Sequence, residues 1–95
     1  MRVEFISTAT KSPRQLRQSL QAQGRSAVEL EAGLYSYTTL LAKLKAIRSE
    51  SARMPAVLLT DCHPDNLDGL KLLNLHQDHD LEDVTLYAMV EVADA

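Results

Sequence analysis

Asp61, Cys62 and His63 stand where an apolar run, Pro55-Ala-Val-Leu-Leu-Thr, comes to an end, and Asp65 and Asp68 follow in the same stretch. A carboxylate at the carboxyl end of a buried strand is where open α/β sheets place their chemistry. Cys62 and His63, with Asp61 and Asp65, could suggest a metal site, and so could His76 with Asp78, His79 and Asp80. Zinc sites usually repeat closely spaced Cys/His pairs at a distance. Here there is one cysteine and no such repeat, so solvated loop residues are the better reading. Cys62 as a nucleophile would need a base and an orienting group. His63 is its immediate neighbour, and a lone cysteine is more often a small buried hydrophobe.

The elements that must position these residues follow from periodicity. Residues 2–7 (Arg-Val-Glu-Phe-Ile-Ser) read as a first strand. Ser12-Pro13 starts a helix to about Gln23, with Leu16 and Leu20 on its apolar face and Gly24 as its stop. Residues 26–32 alternate, placing Val28, Leu30 and Ala32 opposite Glu29 and Glu31. That pattern predicts an edge strand with one face near water. Ser36 caps a second helix whose stripe is Tyr37, Leu40, Leu41, Leu44 and Ile47.

Pro55 opens a third strand. Its run Ala56-Val-Leu-Leu lacks alternation and suits a central strand covered on both faces. Asp65 or Asn66 caps a third helix with Leu67, Leu70 and Leu73, and a polar turn follows at residues 76–80. Val84 to Val92 is a fourth strand, with Val84, Leu86, Ala88, Val90 and Val92 on one face. Strands that alternate with helices imply a parallel α/β sheet joined by right-handed crossovers.

Ninety-five residues make a single domain, 1–95, with one modest core. Aromatic residues are few, so Leu, Val, Ile and Ala must build that core. No apolar run reaches the ~20 residues that span a bilayer. The first residues lack the pattern of a signal peptide, and a lone cysteine permits no intrachain disulfide. The expectation is a cytoplasmic protein without a membrane partner. A net charge of −3 argues against nucleic acid as a partner. The charge is uneven. Residues 1–54 hold nine Lys/Arg and four Asp/Glu (+5), and residues 55–95 hold one Lys and nine Asp/Glu (−8). Solvated faces account for this most simply; a polar surface that attracts a partner or a second copy is the sharper alternative.

Three stretches fall in register with a known family. Residues 21–33 (QAQGRSAVELEAG), 57–61 (VLLTD) and Asp68-Gly69 together resemble the receiver domain of two-component response regulators, over essentially the whole chain. The resemblance implies a flavodoxin-like, three-layer sheet of about four strands in the order 2-1-3-4, with helices on both faces. It would make Asp61 the phosphoacceptor. It also implies an acidic pair after the first strand to hold Mg²⁺, where this chain has Ser7-Thr8. Neutral hydroxyls bring no charge to offset dehydration of the ion. The family's Ser/Thr at the end of the fourth strand aligns with Ala88 or Met89, and its fifth strand and helix fall beyond Ala95.

The resulting expectation is a non-catalytic, receiver-like regulatory module that binds protein and uses no cofactor. Mg²⁺ enters only if Asp61 is an active phosphoacceptor. In the order 2-1-3-4 the fourth strand is an edge. Leu86, Ala88, Val90 and Val92 would then form the interaction surface, for a partner or a second copy. The alternatives are an atypical working phosphoacceptor with Asp61 and Asp65, and a small α/β enzyme or metal protein using Cys62 and His63.

Overall fold

The structure is a computed structural model and describes residues 1–62 and 79–91. The elements run β1 (Arg2–Ser7), α1 (Pro13–Ala22), β2 (Ala27–Glu31), α2 (Tyr37–Glu50), β3 (Ala56–Cys62) and β4 (Thr85–Val90). Short 3-10 turns occupy Ala32–Leu34 and His79–Leu81.

Both helices begin where local chemistry favours it. The Ser12 hydroxyl accepts the Gln15 amide at 3.2 Å, and the Gln15 side chain accepts the Ser12 amide at 2.9 Å. Pro13 fills the first turn, where an N–H would have no partner. Beyond α1, Gly24 takes φ +76°, and its amide donates to the Gln21 carbonyl at 3.0 Å. This is the left-handed stop that glycine adopts most cheaply. Ser36 and Thr39 repeat the reciprocal cap at the start of α2.

The four strands are parallel and lie in the order β1-β4-β3-β2. This corrects the expected order 2-1-3-4. β2 is an edge, as its alternating glutamates imply, and β3 is interior. β1 and β4, however, exchange the places assigned to them. The physical reason lies in the side chains. β4 (Thr-Leu-Tyr-Ala-Met-Val) carries no charge, and Leu86, Ala88 and Met89 are fully buried. β1 alternates Arg2 and Glu4 with Val3 and Phe5, and Phe5 is 62% exposed. A charged, half-exposed strand belongs at an edge.

Each face of the sheet has its own cluster. Leu16 and Leu20 of α1 pack on Ala56, Leu58 and Met89, with Ile6, Ala27 and Tyr87 at the margin. On the other face Leu40, Leu44 and Ile47 of α2 meet Val57, Leu59, Cys62, Leu86 and Ala88. β3 is covered on both faces, as its uniform apolar run implies, Val84, Leu86, Ala88 and Val90 share one face as expected, and the two described helices lie on opposite faces. α1 carries the chain from β1 to β2, between opposite edges of the sheet, while α2 joins the neighbours β2 and β3.

The charge asymmetry has an internal outlet. Lys45 of α2 reaches Asp80 at 3.5 Å, and Arg48 pairs with Asp83. Cations of the basic half thus meet carboxylates of the acidic half within one chain. These surface pairs contribute little stability each. A cavity of about 370 Å³ at this junction is lined by Lys45, Arg48, Ser49 and Asp80. Among the described residues, no helix is long and apolar enough to cross a membrane.

Candidate functional site at the carboxyl end of the sheet

Asp61 sits at the end of β3, as the sequence implies, but on an irregular stretch of strand. Leu59 is opposite Ala88 and Cys62 is opposite Val90, so β3 spends one residue more than β4 over this interval. That is a β-bulge. Asp61 takes φ +56° there. Aspartate is among the few side chains that tolerate this left-handed conformation.

The bulge decides which side chain enters the core. Strict alternation from Leu59 would turn Asp61 toward the apolar face. With the extra residue, Cys62 takes that slot and is fully buried in the α2-side cluster, while Asp61 stays half-buried. A left-handed residue costs roughly 1–2 kcal/mol. Burying a carboxylate in an apolar cluster costs far more, so the bulge is the cheaper arrangement.

Cys62 is consequently inert. Its thiol donates to the Leu59 carbonyl at 3.0 Å. Burial raises its pKa from 9.0 to about 11, with the Asp61 and Glu91 carboxylates adding to the shift and a backbone hydrogen bond from Met89 opposing it. A thiol held protonated well above neutral pH is a poor nucleophile and a poor metal ligand.

Ser7 and Thr8, at the positions the resemblance assigns to metal ligands, lie at the end of β1. The Thr8 amide donates to the Val90 carbonyl at 3.0 Å. The Ser7 carbonyl accepts the amides of Thr10 and Lys11 at 3.0 and 3.1 Å, and its hydroxyl accepts the Ala9 amide at 3.3 Å. Both Ser7 oxygens are therefore engaged by the turn that follows. In the order 2-1-3-4, β1 would lie beside β3. Here β4 lies between them, and two strand spacings amount to about 9.5 Å. Ser7 and Asp61 are not brought together. Ala88 and Met89, in place of the family's hydroxyl, are fully buried.

The expected interaction surface is displaced by the same topology. Leu86 and Ala88 are fully buried and Val90 is partly buried, in a strand flanked on both sides. None of the three lies on a strand edge. Val92 lies outside the described residues, as do His63, Asp65, Asp68, Gly69, His76 and Asp78 and the third helix expected near them. Among the described residues, no group of three or more His, Cys, Asp or Glu could hold a metal ion.

The sequence reading missed two features: the bulge and the guarded edge of β2. Arg17 of α1 donates to the Ala27 carbonyl at 3.0 Å and lies 3.8 Å from Glu29. The signal for the bulge was available, since period-two alternation from Leu58 and Leu59 leaves no acceptable face for Asp61. No protein-family model matches the sequence, and no curated protein or solved structure matches it either.

Proposed function

We propose that this chain is a non-catalytic regulatory module of the cytoplasm that acts by binding protein and resembles a receiver only in the segment around Asp61. The observation that carries this reading is the separation of Asp61 from Ser7. Asp61 lies two strands from Ser7, whose oxygens are committed to their own turn. Phosphoryl transfer needs a divalent cation beside the acceptor to offset charge on the transferring group. Among the described residues, neither Cys62 nor Ser7 is placed to add a ligand beside Asp61. Signalling through protein contact requires none of these groups, and neither metal nor nucleotide enters the proposal.

The decisive experiment is incubation with Mg²⁺ and acetyl phosphate, followed by intact mass measurement. An unchanged mass is the expected result. A gain of one phosphoryl group that is lost in Asp61→Asn would replace this reading with an atypical phosphoacceptor.

A further inference from the structure

We propose that the outer edge of β1 pairs antiparallel with β1 of a second copy, about a two-fold axis at Val3. The Arg2 amide donates to the Val84 carbonyl at 2.8 Å and the Thr8 amide to the Val90 carbonyl at 3.0 Å. Residues two apart on a strand point their backbone groups to the same side. Arg2, Glu4, Ile6 and Thr8 therefore face β4, and the amides of Val3, Phe5 and Ser7 face outward. Among the described residues, no strand takes up that outer edge.

The two edges of the sheet are treated differently. At β2 the Ser26 carbonyl accepts the Ala56 amide, so the Ala27 carbonyl points outward. Arg17 covers it, and Glu29 and Glu31 are exposed along the same strand. Charges and capping of this kind keep a second strand away. Among the described residues, no side chain bonds the Val3 or Phe5 carbonyl as Arg17 bonds that of Ala27. β1 presents Phe5 at 62% exposure next to the partly buried Val3, on the same face.

Backbone geometry leaves few registers, and the charges choose among them. Only outward-facing residues can exchange bonds, so Val3, Phe5 and Ser7 set the possibilities. Placing Phe5 on Phe5 of the second copy pairs Val3 with Ser7, whose carbonyl already accepts Thr10 and Lys11. Placing Val3 on Phe5 puts Glu4 directly against Glu4, a destabilising contact. Placing Val3 on Val3 sets Arg2 opposite Glu4 on both sides of the axis. Arg2 and Glu4 already meet at 2.5 Å within one strand, so the four side chains alternate in sign. On the other face Phe5 comes to lie opposite Met1 and diagonal to Val3, which covers its ring. Self-complementary charge and a covered aromatic select this register.

This inference names a partner, a second copy, for the binding reading above, and it rests on that reading only for its biological use. Phosphodonor and sizing experiments fail separately. The expected sizing result, by light scattering from about 1 to 200 µM, is a concentration-dependent rise from 10.6 kDa toward twice that mass. Phe5→Lys abolishes it. Glu4→Arg weakens association about tenfold, and the swap Arg2→Glu with Glu4→Arg restores it. Val3→Cys forms an interchain disulfide, because Cα atoms of a bonded antiparallel pair are about 5.5 Å apart. Phe5→Cys does not, and buried Cys62 does not compete. A monomer throughout the range overturns the proposal. So does association indifferent to Phe5→Lys and to the charge swap, or cross-linking at Phe5→Cys instead of Val3→Cys. Circular dichroism identifies any variant that fails to fold, and the sizing of the others still decides.

Discussion

Leu86→Ala tests the sheet order directly, because the order alone determines how much Leu86 buries. Leu86 is fully buried between β1 and β3, in the cluster with Leu44, Leu59 and Ala88. The change removes three carbons, about 2.4 kcal/mol at ~0.8 kcal/mol each. The cavity left by partial collapse adds to that, for a total of about 3–4 kcal/mol. If β4 were an edge strand with Leu86 covered on one side, half the burial would give about 1 kcal/mol. A chain of this length has roughly 5–14 kcal/mol of stability in all. The loss therefore lowers Tm by about 15–25 °C. The assay is urea unfolding followed by circular dichroism, at a fixed submicromolar concentration so that association does not contribute. Leu34→Ala, at a side chain 73% exposed, serves as the control and changes stability by less than about 0.5 kcal/mol. A loss below about 1.5 kcal/mol for Leu86→Ala, with the denaturant slope unchanged, would refute β4 as an interior strand.

Other outcomes follow from the same structure. In native protein at pH 8, Cys62 resists thiol reagents and reacts only as fast as the chain opens, whereas in urea it reacts at once; rapid native labelling would contradict its burial. Because its folded pKa lies above the unfolded value, Cys62 stabilises fully below pH 9.0 and loses that contribution as pH rises from 9.0 to about 11; Cys62→Ala flattens this part of the stability profile in urea titrations across that range. Ser12→Ala removes the α1 cap and costs about 1 kcal/mol by the same unfolding assay. Arg17→Ala uncovers the β2 edge, costs no more than about 1 kcal/mol, and introduces salt-sensitive association that Phe5→Lys does not suppress, measured by light scattering.

Much of the element map was legible because period and capping are local. Leu40, Leu44 and Ile47 repeat at helical spacing and are buried, and Ser12 and Ser36 stand where their hydroxyls accept the third amide onward. The glutamates of β2 gave away its edge position, and the uniform run of β3 its interior one. Strand order is a different kind of quantity. A connection across one neighbour or across the whole sheet uses the same local signals, and resemblance to a receiver placed β1 in the middle. The information against that was in Arg2 and Glu4, which mark β1 as an edge as surely as Glu29 and Glu31 mark β2. At the candidate site, Asp61 was found from the apolar run before it. Its separation from Ser7 was not, since that depends on what lies between β1 and β3.

The path of the chain through the sheet also sets the order in which it can fold. Arg2 pairs with Thr85, and the Arg2 amide waits on the Val84 carbonyl. The first of the described strands to be made finds its only neighbour among them in the last. Until then β2 and β3 can pair through α2, but both sides of β1 stay unsatisfied. Pairing at such sequence separation slows folding through the loop entropy it must overcome. It also leaves Val3, Phe5 and Ile6 uncovered during synthesis, as a segment that chaperones or other nascent copies of the chain can reach.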